Sequence, residues 1–257
     1  MNKKSLLFIV ILFSYIAAVL PQDNKSGSVI YTETVKLEIK LEGEMAAMMK
    51  DLPKEKKSEK ILWFSPDASL YDEYREEGEK EMSGGIWHTD GANVKIMVQS
   101  PENIVFTDFT NKEIIEQKEF MTRMFLIKGD MPEKEWKITG KQQMILDYPC
   151  MEANSTDTSG IVTRIWFTPS IELPAGPGQY CNMPGLVLKV DIDNGKRILE
   201  ARKINFDEPD KELFEKPKKG KKVSRDEYNL IVAEKMKEMG EEKGNKETGT
   251  IVVKIRK

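Results

Sequence analysis

Histidine and cysteine are nearly missing from this chain: one of the first, His88, and two of the second, Cys150 and Cys181, in 257 residues. A Ser-His-Asp triad needs its histidine beside a nucleophile and an orienting acid, and no G-x-S-x-G elbow is present. A tetrahedral zinc site takes three or four His or Cys ligands, more than this chain offers once its cysteines pair. No C-x-x-C supports thioredoxin-type exchange. No G-x-G-x-x-G or Walker pattern supports nucleotide binding. The acidic run 72–81 lacks EF-hand offsets, and no fixed-period repeat is visible. The 43 acidic residues offer many carboxylate pairs, yet no motif selects one for glycoside hydrolysis. The chain therefore reads as non-enzymatic, with no cofactor and no metal. A net charge of −3 with interspersed signs is not built to track nucleic-acid phosphates; the lysine-rich run 216–222 is the local exception.

Long apolar runs are also absent, apart from the first residues. Met1-Asn2-Lys3-Lys4 is a basic n-region, and residues 6–20 form an apolar h-region of signal-peptide length. The run is short for a spanning helix, which favours a cleaved leader over an uncleaved anchor. Cleavage is expected between about Ala18 and Asp23. The expected mature protein is periplasmic or secreted, with no stable membrane span and two charges more acidic once Lys3 and Lys4 are gone.

What the chain has in quantity is short strands. Val35, Leu37, Ile39 and Leu41 alternate with Lys36, Glu38, Lys40 and Glu42, the pattern of a half-buried antiparallel strand. Further strands are expected at 61–64, 69–74, 86–88, 94–98, 104–109, 112–119, 121–128, 136–139, 144–148, 151–156 and 161–167. Turn signals separate them, with Asp90-Gly91 marking a hairpin, and 50–60 is expected to be an exposed loop. No βαβ alternation appears. After Phe206 the composition changes: 207–222 reads as a polar linker or extended edge. Ser224-x-x-Glu227 then forms a capping box. Tyr228, Ile231, Val232, Met236 and Met239 make a helical stripe over 224–239, and Gly240 suits its C′ position. That stripe has to bury against the sheet or a partner. Residues 250–255 resemble a last short strand.

The centre of the design is 171–192, IELPAGPGQYCNMPGLVLKVDI. Pro174, Gly176, Pro177 and Gly178 exclude helix and weaken any ladder. They leave an ordered crossing loop, either a rigid connection or a binding rim. Asn182-Met183-Pro184-Gly185 predicts a type II turn with Gly185 at positive φ. Leu186, Leu188, Val190 and Ile192 then share one strand face, Val187, Lys189 and Asp191 the other, and Asn194-Gly195 turns the chain into a partner strand at 197–204. Two cysteines in an exported chain predict a Cys150–Cys181 disulfide, with two free buried thiols as the alternative.

Met183-Pro184-Gly185-Leu186-Val187, after Pro174, Gly176, Pro177 and Tyr180, resembles the signature of the GLPGLI family of secreted Bacteroidetes proteins. Ser69-Leu70-Tyr71, Trp136-Lys137-Ile138-Thr139, Tyr148-Pro149-Cys150 with Ala153, Arg164-Ile165-Trp166-Phe167 and Ile171 extend the resemblance over most of the mature chain. Met183, Asn182 and Val187 depart mildly from its usual Leu, Gly and Ile. The resemblance implies an exported protein of unknown biochemical role, with no catalytic residues to carry over.

The sequence thus predicts a mainly β or α+β protein: a leader at 1–22, an antiparallel β domain at 23–206, and a linker, helix and terminal strand at 207–257 packing on that domain. A curved sheet around a helix is similar to the half-barrel of LolA-type lipoprotein carriers, by analogy of fold alone. Two functions are open: a periplasmic carrier for an apolar ligand or lipoprotein, or an interaction module serving TonB-dependent transport or envelope assembly. An open apolar cavity favours the first and a filled core with exposed apolar side chains the second.

Overall fold

The computed structural model describes residues 25–37, 54–74, 85–89, 92–96 and 102–242, with backbone alone for 85–89, 92–96 and 239–242. The leader, residues 38–53, the acidic run from 75 to 81, the side chain of His88 and the run 250–255 lie outside these side-chain descriptions. Fourteen strands are formed among the described residues: β1 (Gly27–Lys36), β2 (Glu55–Phe64), β3 (Ala68–Glu73), β4 (Gly85–Thr89), β5 (Ala92–Ile96), β6 (Asn103–Asp108), β7 (Glu113–Phe120), β8 (Arg123–Asp130), β9 (Lys137–Ile145), β10 (Tyr148–Thr156), β11 (Val162–Thr168), β12 (Leu186–Ile192), β13 (Arg197–Asn205) and β14 (Lys221–Val223). A single helix, α1 (Arg225–Glu242), follows. The class is the expected one. β4 and β5 pair as a hairpin, and the other twelve strands form one open, curved sheet in the order β14-β8-β7-β6-β3-β2-β1-β13-β12-β11-β10-β9. Every pairing in it is antiparallel except β14 with β8.

Register fixes two faces, since directly opposed residues point the same way. Tyr71 opposes Leu62 and Val105, and Leu62 opposes Val29. Together with Phe64, Tyr31, Ile114, Leu199 and Val190 they make an inner face belonging to the main core. The outer face of β3, β6, β7 and β8 carries Leu70, Phe106, Ile115 and Leu126. At roughly 1.5–3 kcal/mol per fully buried large side chain, both faces have to be covered.

Each cover is a non-strand segment. Residues 169–185 lie on the inner face, with Ile171, Leu173, Ala175, Tyr180 and Met183 in the main core. The segment 207–222, expected to be a linker or an extended edge, is a strap on the outer face over 207–220 and an edge strand from Lys221. Phe214, in a 3₁₀ turn at Lys211–Phe214, packs on the outer cluster. Lys216 donates to Asp108 at 2.9 Å and lies 5.3 Å from the Phe106 ring centroid. The Lys219 N–H donates to Gln117 at 3.0 Å. The strap then becomes β14. The capping box forms as read: the Ser224 N–H donates to Glu227 and the Glu227 N–H to Ser224 Oγ.

Three expectations change. Residues 55–60 are not a loop but the start of β2, because they pair with the polar end of β1, Lys36 opposite Glu55 and Thr34 opposite Lys57. Residues 144–148 are not one strand: Leu146 and Asp147, at φ 47° and 64°, are the turn joining β9 to β10. The helix also runs past Gly240 to Glu242, and its stripe is buried mainly in its first turns. There Tyr228 packs on Phe125, Ile127 and Val223, with Ile231 and Val232 alongside and Leu230 65% exposed. Phe125 and Ile127 share the inner face with Lys118 and Glu116, so the helix covers that face at the β8 end, away from the loop. Among the described residues no helix is long and apolar enough to cross a membrane.

Candidate functional site

The proline-glycine segment leaves β11, travels over the inner face and returns into β12. Its buried backbone has to be satisfied internally. Pro174 and Pro177 have no N–H to satisfy. The rest is cross-braced: Asn182 N–H donates to Pro174, Leu186 to Ile171 and Val187 to Ala175, at 2.9–3.1 Å. Tyr31, on β1, donates its hydroxyl to the Val187 carbonyl at 2.7 Å. The expected type II turn at 182–185 is replaced by a tighter one. Gly185 N–H bonds the Met183 carbonyl at 2.7 Å, a three-residue turn around Pro184. Gly185 does hold positive φ, at 145°, and a Cβ there would lie 2.2 Å from the Thr168 carbonyl oxygen. A Cβ on Gly176 would lie 1.9 Å from the Tyr180 carbonyl oxygen and 2.9 Å from Val187. So Pro174, Gly176, Pro177, Tyr180, Met183, Pro184, Gly185, Leu186 and Val187 come together in one braced element. Trp166 does not join them: it opposes Lys189 on the outer face, 5.5 Å below that ammonium.

Beneath the loop runs a row of buried and half-buried charges that the sequence reading missed. Glu73 on β3, Lys60 on β2, Glu33 on β1 and Arg197 on β13 share the inner face and alternate in sign across four neighbouring strands. Arg197 Nε lies 2.5 Å from Glu33, Lys60 lies 3.6 Å from Glu33 and also pairs with Glu73, and Ser58 donates to Glu33 at 3.2 Å. Burial raises the Glu33 pKa, but Arg197 and Lys60 outweigh it and hold the carboxyl below its usual range. Burial pushes the Tyr31, Tyr71 and Tyr180 phenols up. The Tyr71 hydroxyl is buried with no hydrogen-bond partner, and the loop's Gly178 passes over its ring. These residues carry a signal only after register is known: a charge at the inward phase of an otherwise apolar strand.

The disulfide is not formed. Cys150 and Cys181 are free and buried. Cys150 belongs to β10, whereas the loop carries Cys181 towards Thr107 on β6, seven places along the sheet order. Burial pushes both thiols up to about 11. Among the described residues no three His, Cys, Asp or Glu side chains converge as a metal site requires.

Two surface clefts stand out among the described residues. One of about 740 Å³ lies where the strap, β14 and the helix start meet β8, with Leu126, Val223 and Pro217 on its walls and a rim of both signs, Lys128, Lys218 and Lys222 with Glu113, Asp130 and Glu227. One of about 500 Å³ lies between Asn182 and the β6–β7 turn and is mostly polar, with Asn111, Asp130 and Glu133. At the other end of the sheet, β9 is an edge that no strand among the described residues covers. Seven of its nine residues are exposed, Ile138 by 55% and Met144 by 64%.

No family model matches the chain, and no curated protein matches it. Among solved structures, PNGF-II in two crystal forms is similar at 15% and 16% identity and a TM-score of 0.50, over 81% and 80% of this chain. This chain spans about a third of the PNGF-II chain's length, 33%. The likeness concerns the fold alone. An uncharacterized conserved protein from Thermus thermophilus is aligned over 87% of this chain and 100% of its own, at 5% identity and a TM-score of 0.39.

Proposed function

We propose that this chain is an exported, non-enzymatic protein of the GLPGLI type that works by binding another protein of the cell envelope. One observation carries the reading. The inner face, where a half-barrel carrier holds its apolar ligand, is filled by the chain's own braced loop, whose Ile171, Leu173, Ala175 and Met183 are buried in the core. Exposed apolar side chains lie elsewhere, two of them on the open strand β9. A filled core with apolar groups on its rim suits a protein partner.

A carrier function keeps one supporting feature, the cleft of about 740 Å³. Leu126 and Val223 with a rim of mixed charge suit an amphiphile with a polar head. The experiment that separates the two is recovery of the full chain from the periplasm, with mass spectrometry of bound proteins and lipids. A stoichiometric envelope protein supports the first reading. A stoichiometric lipid with no protein overturns it in favour of the second.

A further inference from the structure

The two ends of the large sheet are finished differently. β8 is capped by β14, the strap and the helix. Among the described residues β9 has β10 on one side and no strand on the other. Its phase can be read from two independent features. Leu146 and Asp147 form a two-residue turn with both φ positive, the type I′ geometry, so the flanking pair Ile145/Tyr148 exchanges hydrogen bonds. Pro149 opposes Met144 and has no N–H to give, which makes 144/149 the non-bonded pair of the alternation. Met144 and Gln142, paired with Pro149 and Met151, therefore aim their N–H and C=O groups away from β10, to the open side.

Open edges are usually blunted by charge or a bulge, and this one has Lys137 and Lys141 and a bulge at 139–141, opposite Glu152, with Gly140 at φ 81°. Residues 142–144 beyond the bulge stay extended, and Ile138 and Met144 are the most exposed apolar pair on any one strand among the described residues. The charge is of one sign. β9 holds two lysines and no acid, and of the two Lys141 already lies 3.7 Å from the buried Glu152 carboxylate of β10, which leaves Lys137 to a partner. A second copy added edge to edge has no carboxylate on β9 to meet a lysine in any register, so a strand of opposite charge is the better occupant.

From this we infer that β9 is a docking edge that adds an extended, acidic-apolar peptide segment of a partner as a thirteenth strand of the sheet. The inference rests on the protein-binding reading above and names its site. The segment's backbone bonds Gln142 and Met144, a carboxylate meets Lys137, and its apolar side chains cover Ile138 and Met144.

The test uses the full mature chain and two fluorescein-labelled synthetic peptides of alternating valine with glutamate or with lysine, read by fluorescence anisotropy. Saturable binding of the glutamate peptide, at least about tenfold tighter than the lysine peptide, is expected. Gln142→Pro removes an N–H that β10 does not use and should abolish binding with the melting temperature kept. Should that variant be poorly folded, Lys137→Glu should shift preference towards the lysine peptide. Equal binding of both peptides, no binding, or binding unaltered by both variants overturns the edge. Concentration-dependent dimerisation that Gln142→Pro removes also overturns it, in favour of a second copy. In parallel, each variant is used to recover the envelope partner. If wild type and Gln142→Pro recover it equally, the edge fails while the protein-binding reading stands; if wild type recovers none, the reading itself fails.

Discussion

The two covers of the sheet differ in how they are held. The inner one, residues 169–185, is made of proline, glycine and apolar residues, and backbone hydrogen bonds close it on itself. The outer one, residues 207–220, is largely charged, held by one half-buried aromatic, Phe214, and by polar contacts from Lys216 and Lys219. Both lack regular strand structure, yet the first is core and the second a surface strap. What decides is the accounting of buried backbone: a segment without ladder partners can enter a core only if its own turns satisfy its amides.

The most direct way to break the inner cover is Gly185→Val. The substitution sets a β-branched residue at φ 145° and drives its Cβ against the Thr168 carbonyl. A loss of about 3 kcal/mol or more is expected in urea unfolding. An unchanged midpoint would mean that the turn relaxes freely and the loop is not core.

Matched truncations then sharpen the contrast. Ile171→Ala, from a side chain 1% exposed, should cost about 2–4 kcal/mol, and Phe214→Ala on the strap about 1–2 kcal/mol despite the larger group removed. Hydrogen exchange should follow the same order, with the Lys219 amide exchanging long before that of Val187. Equal costs would erase the distinction between the covers.

Much of this was legible beforehand, and the limit is physical. Strand alternation and turn chemistry are local, so the β class, the 186–192 hairpin and the Ser224 capping box could be read directly. The placement of covers is not local. Nothing in Pro174, Gly176 or Pro177 says which face the loop lies on, and the strap's lysines look like a solvated linker until Asp108 and Phe106 are brought beneath them. The disulfide failed for the same reason, since an even cysteine count carries no information on where a loop takes Cys181. Glu33 and Arg197 were invisible because opposition across strands depends on register.

The strap also predicts a pH effect. Hydrogen bonds from Asn111, with Lys216 adding to them, pull the Asp108 pKa down to about 2. A carboxylate lowered on folding stabilises fully above its unfolded value near 3.9, and that contribution is lost as pH falls through the folded value. Asp108→Asn should therefore cost about 1 kcal/mol at neutral pH, the contact being partly screened by solvent. The gap from wild type should close between about pH 4 and pH 2. A gap that stays constant across that range would assign the loss to packing.

The smallest expected effect is that of Tyr71→Phe, read against Tyr31→Phe, its neighbour under the inner cover. Tyr31 and Tyr71 are equally buried, at 0% and 3% exposure, and burial pushes both pKa values up. They differ in partners: Tyr31 donates to the Val187 carbonyl, and Tyr71 has no partner for its hydroxyl. Deleting one half of a buried hydrogen bond strands the other, so Tyr31→Phe should cost about 1–3 kcal/mol. Deleting an unpartnered hydroxyl removes a desolvated group and strands nothing. Tyr71→Phe should therefore leave stability within about 0.5 kcal/mol of wild type or raise it. A loss comparable to that of Tyr31→Phe would show that the Tyr71 hydroxyl holds a partner in solution, with Glu33 and Arg197 the groups nearest in charge to supply it. The inner cover would then close over a polar contact as well as an apolar one.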